Sequence, residues 1–375
     1  MKQLLLIPGP TLVSDEVLEA LSQETMAHTD ERFVKITSET LVKVKALFGA
    51  DKGHPFVIAG SGTLGMEMSL TNILNDKENL LVISHGYFGD RFIEIGNALN
   101  VNVDVLKAPT GETVPIEIIE RTVKDRHFDA ITITHVDTST GTLSDVEAIA
   151  KVVHNVSPST LIIVDGVCAA GGVKELFDDW GIDVIFTGSQ KAIAVPPGLT
   201  MLAFSERAIA KRKSMKITRT YYGDILRWIP VMEDPHRYFA TPAVNMVYAL
   251  NRSLNDIFSF GLENYFEKHI TLARRVRNAM SITGFELVSK NPAPTLSVFK
   301  YPQGISDTDF RSKLYEKGIV VAGALAELQG KAFRIGHMGS ITEDELMVAV
   351  KKIVEVLEGM GVKIEKGEVF KGFLS

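Results

Sequence analysis

Between residues 56 and 205 the chain alternates short aliphatic runs with longer amphipathic stretches. The short runs are FVIA (56–59), NLLVIS (79–84), VNVDVL (101–106), DAITITH (129–135), LIIVD (161–165), DVIFTG (183–188) and TMLAFS (200–205). The middle ones are nearly continuous Val, Ile and Leu, the pattern of strands covered on both faces. Most are separated by helical patterns. In PIEIIERTVKDR, Ile116, Ile119 and Val123 share one face, and Pro115 suits a first helical position. Such alternation predicts a mainly parallel α/β sheet.

After residue 205 the rhythm changes. Residues 206–252 read as basic, aromatic, proline-interrupted loops, and a long helical stretch follows. Then come FELVS (285–289), TLSVFKY (295–301), a helix near 307–317, GIVVAG (318–323) and AFRIGHM (332–338). A closing helix is expected at about 342–358, with Thr342 as N-cap and acids in its first turn. The expected organisation is an arm (1–15) packing near the small domain, a large domain (16–252) and a C-terminal α+β domain (253–375).

Composition narrows the function classes. A chain of 375 residues, 45% hydrophobic and 23% charged, can bury a large core without staples. Its one cysteine, Cys168, excludes an intrachain disulfide and fits a reducing compartment. The net charge of −6, with no Lys/Arg block, speaks against a nucleic-acid partner. The opening MKQLLLIPGP is too short in apolar residues for a signal peptide, and no run approaches a membrane span. A cytoplasmic protein with no membrane partner is expected.

FVIAGSGTLGMEMSLTNIL (56–74) contains Gly60, Gly62 and Gly65 in the G-x-G-x-x-G spacing of a dinucleotide site. That reading needs an acid closing the next strand, to hold a ribose. Ser84, His85 and Gly86 stand there instead. The glycines and hydroxyls at Ser61–Gly62–Thr63 still suit a small dianion at a helix N-terminus. Three later runs place polar groups at strand ends, where open α/β sheets bind ligands. They are THVDTSTGTL (134–143), Asp165 in IIVDGVCAAGG, and Ser189–Gln190–Lys191 in IFTGSQKAIAVPPG. A phosphate cradle, a carboxylate, a lysine and a nearby aromatic, Phe88, form the set that pyridoxal phosphate requires.

From IPGPT to FRIGHMG the chain resembles the alanine–glyoxylate and serine–pyruvate aminotransferases, class V of the fold-type-I pyridoxal-phosphate enzymes. TGSQKAIAVPPG is similar to that family's lysine segment. The resemblance implies a mostly parallel seven-stranded sheet sandwiched by helices, with a smaller C-terminal α+β domain. It makes Lys191 the Schiff-base lysine and proton shuttle, Asp165 the pyridinium partner and Val167 the residue beneath the ring. Ser61, Gly62, Thr63 and Gln190 would hold the phosphate, Thr138 the O3′ side, and Phe88 would stack on the ring. Tyr238 and Thr241 in RYFATPAV would reach a neighbouring subunit's phosphate, implying a homodimer with shared sites. Arg334 would grip the substrate carboxylate, with Gly9 in the arm beside it. The implied reaction is ping-pong transfer from alanine or serine to glyoxylate or pyruvate.

The chain departs from the family in reading His28–Thr29 where His-Arg is common, and Asp137 where Glu is usual. Competing readings in the same fold are a 2-aminoethylphosphonate:pyruvate aminotransferase and a lyase; outside it, a nicotinamide dehydrogenase. A cysteine desulfurase is disfavoured because no Cys stands in the C-terminal part. His85 and His135 lack a spaced third ligand, so no metal is expected. Cys168 reads as a buried filler, and Met66 and Leu70 as core.

Overall fold

The computed structural model describes residues 3–375. Its strands are β1 (Leu4–Leu5), β2 (His54–Ala59), β3 (Asn79–Ser84), β4 (Asn102–Lys107), β5 (Ala130–Thr134), β6 (Val136–Asp137), β7 (Thr142–Leu143) and β8 (Leu161–Asp165). They continue as β9 (Val184–Gly188), β10 (Leu199–Phe204), β11 (Glu286–Leu287), β12 (Leu296–Lys300), β13 (Ile319–Val320), β14 (Ala322–Gly323) and β15 (Ala332–Gly336).

The seven strands expected upstream of residue 205 form one seven-stranded sheet, ordered β2-β10-β9-β8-β5-β3-β4. Only β10 runs against its neighbours, β2 and β9. Side chains alternate between two apolar layers. Leu80 and Val82 pack on one face with Phe92, Phe186 and Trp228. Leu81 and Ile83 pack on the other with Phe48, Ile131 and Leu250. Both faces being covered explains the unbroken aliphatic runs.

The helices are α1 (Asp15–Leu21), α2 (Glu31–Phe48), α3 (Gly62–Thr71), α4 (Tyr87–Ala98), α5 (Ile116–Asp125), α6 (Val146–Val156) and α7 (Phe177–Trp180). Then follow α8 (Glu206–Ser214), α9 (Ile225–Glu233), α10 (Val244–Phe260), α11 (Leu262–Ile282), α12 (Asp307–Glu316), α13 (Glu343–Gly359) and α14 (Lys366–Leu374). Pro115 stands at the N-cap of α5, one place before the first helical residue expected of it. Residues 206–252 are only partly loops: α8, α9 and the start of α10 alternate with irregular stretches at 215–224 and 234–243, and α9 carries Pro230 inside. Helix α10 runs through residue 252, and its Ala249, Leu250 and Leu254 belong to the core of the large sheet.

A second core joins α11–α14 to a four-stranded antiparallel sheet, β11-β12-β15-β14. GIVVAG is not one strand but two, since β13 pairs with β1 and β14 with β15. Helix α13 begins as expected, with a capping box between Thr342 and Glu345. It does not close the chain: α14 follows and packs on α11. The arm adds β1 in parallel to β13, Leu4 opposite Ile319. Leu6 then accepts a bond from Gly336 N (2.8 Å), which carries the chain on toward the large sheet.

Candidate active site

At the C-terminal ends of β8 and β9, beside the start of α3, lies a cavity of about 160 Å³. Ser61, Gly62, Thr63, Phe88, Thr138, Asp165, Val167, Gln190 and Lys191 line it, so nine positions expected from sequence converge. The glycine fingerprint explains part of the geometry. A Cβ on Gly62 would stand 2.8 Å from Val167, and one on Gly65 2.7 Å from Phe186. Only glycine lets α3 settle this closely on the sheet. Ser61 caps α3 in extended conformation without spending its hydroxyl on the helix. The helix N-terminus and two exposed hydroxyls therefore face the cavity.

Asp165 ends β8 and is 3% exposed. One of its oxygens accepts from Val167 N at 2.9 Å. Burial raises its pKa to about 7; Asp137 and Glu175 push the same way, against Val167 N and Lys191. A cationic partner in the cavity would bring the carboxyl back to its charged form.

Lys191 follows β9 in an irregular turn fixed at three points. Ser189 donates to Pro196 O (2.7 Å), Ala194 N bonds Lys191 O (2.9 Å), and Thr11 Oγ1 donates to Lys191 O (2.8 Å). The ammonium itself donates to Pro8 O at 2.5 Å. Gly9 has φ +114°, and a Cβ there would stand 2.6 Å from Lys191 Nζ. The positive φ, more than the contact with the flexible end of the lysine, is what asks for glycine here.

Phe88 is set by a buried carboxylate. Asp137 accepts from Phe88 N (2.9 Å) and Gly89 N (3.2 Å), while its other oxygen takes Ser139 N (2.9 Å) and Ser139 Oγ (2.6 Å). It satisfies the free N–H groups at the start of α4. Of the two histidines noted in sequence, His135 Nδ1 meets Glu175 (3.1 Å) and His85 Nδ1 meets Ser144 (3.3 Å).

Arg334, on β15, stands outside the lining and bonds Gly323 O (2.9 Å) and Thr138 O (3.5 Å). Tyr238 and Thr241 are apart from the cavity. Their hydroxyls meet at 3.2 Å on the surface, and the Tyr238 ring packs 5.2 Å from His28. Sequence reasoning missed Arg91, which lines the cavity one helical turn beyond Phe88. It also read Cys168 as a buried filler and Met66 as core, and both border the cavity. The signal for Arg91 was its i+3 spacing from Phe88.

The family model for class-V aminotransferases matches residues 4–327. The chain belongs to that family. It is an aminotransferase. It is 35% identical to alanine–glyoxylate aminotransferase 1 of Saccharomyces cerevisiae over 89% of this chain and 91% of that one. It is 30% identical to the L-aspartate–glyoxylate aminotransferase of Paracoccus denitrificans, over 96% and 92%. Among solved structures, the ureidoglycine–glyoxylate aminotransferase of Bacillus subtilis superposes with a TM-score of 0.94. It is 26% identical, covering 100% of this chain and 97% of the other. Solved relatives of this kind bear out the α/β transferase fold expected from sequence.

Proposed function

We propose that this aminotransferase uses pyridoxal phosphate to move an amino group from alanine or serine to glyoxylate or pyruvate, by a ping-pong sequence. One observation carries the reading: Lys191, the buried Asp165 and the free start of α3 open into one cavity. The residues fit the cofactor. The helix start and the hydroxyls of Ser61 and Thr63 suit a phosphate dianion. Gln190 Oε1 is buried without a hydrogen-bond partner, which leaves an acceptor for a donor group of a guest. Asp165 would face the ring nitrogen, Val167 and Phe88 would cover the ring, and Thr138 would meet its hydroxyl.

When bound, the cofactor supplies an electron sink that lets the substrate α-carbon give up its proton. The protein does the rest. Lys191 Nζ holds the cofactor and carries that proton. Asp165 keeps a proton on the facing nitrogen, a task its buried position strengthens. Arg334 receives the substrate carboxylate in the fork that a lysine cannot offer. Glyoxylate as acceptor is supported by the relatives, whose names share it. The donors named differ, so donor preference rests on the family resemblance. Tyr238 and Thr241, exposed and away from their own cavity, suit a role at a second subunit's phosphate, hence a homodimer. A cytoplasmic location completes the reading.

The test is spectroscopic. Pyridoxal phosphate added to the protein should give a yellow band, and borohydride should fix it to the peptide carrying Lys191. Alanine or serine should bleach the band, and glyoxylate or pyruvate should restore it. A protein that stays colourless sinks the cofactor reading. Bleaching with ammonia release and no acceptor would favour the lyase.

A further inference from the structure

Arg91 occupies a place that no part of the mechanism above uses. It sits one turn into α4, half-buried, with Nη1 donating to Thr63 Oγ1 at 3.2 Å. Its guanidinium lies over two rings, 4.8 Å from the centre of Phe88 and 5.2 Å from that of Tyr87. The adjacent acid, Asp90, is turned away to Lys107 Nζ (2.6 Å) and Ser84 Oγ (2.7 Å). Among the described residues no carboxylate lies within ion-pair distance of Arg91, although the chain as a whole is acidic. Besides Lys191, it is the only cation lining the cavity among those residues.

We infer that Arg91 is a positioning residue for the cofactor phosphate, acting through Thr63 and through its own unneutralised charge. The inference rests on the pyridoxal-phosphate reading of the cavity. A guanidinium has only donors, so its bond to Thr63 occupies an oxygen lone pair and leaves the hydroxyl hydrogen to be given away. That hydrogen, together with the N–H groups at the start of α3, faces the dianion. Once Lys191 is committed to the cofactor's aldehyde end, Arg91 is the remaining lining cation to balance the phosphate. The rings of Phe88 and Tyr87 hold the guanidinium in place without cancelling its charge. One side chain thus ties the phosphate cradle to the aromatic wall.

The experiment compares pyridoxal phosphate with pyridoxal, which lacks the phosphate. Dissociation constants for both are measured by spectral titration of the wild-type chain and of R91Q, R91K and T63V, with melting temperatures recorded alongside. R91Q should weaken pyridoxal phosphate about 10- to 100-fold and leave pyridoxal unchanged. R91K should recover part of the loss, and T63V should cost less in the R91Q background than in wild type, since the two side chains are coupled. Added salt should weaken wild-type binding more steeply than that of R91Q. Equal binding by R91Q and wild type overturns the inference, as does an equal loss for both ligands. If the wild-type chain binds no pyridoxal phosphate at all, the cofactor reading falls and takes the inference with it. R91K keeps the test open should R91Q fold poorly.

Discussion

Lys191 Nζ donates to the carbonyl of Pro8, 183 positions earlier, at 2.5 Å. The arm and the lysine turn are therefore one structural unit. Thr11, whose backbone N–H bonds Gln190 O at 3.2 Å, closes the other side. Before a cofactor takes it up, the lysine has a fixed acceptor and a fixed direction.

Gly9 lies against that contact with a φ of +114°. In Gly9→Ala the new methyl meets Lys191 in a backbone region that L residues rarely adopt. The variant should lose roughly 1–3 kcal/mol of stability in denaturant titrations. Its kcat should fall at least about tenfold, because a small misplacement of a reacting group is costly. A variant with unchanged turnover would mean that the arm does not set the lysine.

Asp165 makes cofactor-free stability depend on pH. Its carboxyl holds a proton up to about pH 7 in the folded chain, against about 4 when unfolded. The folded state therefore binds the extra proton between those values, and its contribution, complete below about pH 4, is lost as pH rises through 7. The stability of wild type minus that of Asp165→Asn should fall by roughly 4 kcal/mol across this window. Parallel curves in thermal melts at stepped pH would refute it.

Asp137 accepts from four donors with two oxygens. Asparagine would turn an N–H₂ toward N–H groups. D137N should lose about 1–3 kcal/mol and weaken pyridoxal phosphate through the displaced Phe88. Equilibrium unfolding and cofactor titration would read the two effects separately.

Arg334 separates geometry from charge. R334K keeps the charge and loses the fork, and kcat/KM for the amino donor should fall about 10- to 100-fold. Cofactor affinity, measured on the same protein, should hold. A parallel loss of cofactor binding would place the side chain's role elsewhere.

Shared sites predict complementation. K191A and T241A chains, each inactive or weak alone, should regain activity when unfolded and refolded together, because a mixed dimer has one site with neither change. No recovery, with dimers present by sedimentation, would count against Tyr238 and Thr241 reaching a partner.

Much of this was legible in sequence, and the misses have physical causes. The runs at 79–84 and 161–165 match β3 and β8 in both bounds, since strands buried on two faces are aliphatic throughout. Residues 206–252 misled because Pro230 reads as a breaker, yet it lies within α9. Helix α14 carries Gly367 and Gly372, poor helix formers, and is held by burial of Val369 and Phe373. GIVVAG reads as one strand because periodicity cannot say that its halves have different partners. The strand-end residues converged because the α/β topology dictates where they go. Arg91 was hidden because its spacing from Phe88 identifies a helical face, not what that face meets.

The parallel pairing of Leu4 with Ile319 also has a consequence in time. During synthesis the arm emerges first, but the strand it needs comes more than three hundred residues later. The large sheet can fold meanwhile, with Asp165 and Lys191 already at their strand ends. Until the C-terminal sheet arrives, Pro8 has nothing to hold it over the lysine. Closure of the site is therefore expected as a late event of folding, the longest loop being the last to pay. A nascent chain stopped short of β13 should leave Lys191 open to amine-reactive labels, and the finished chain should protect it.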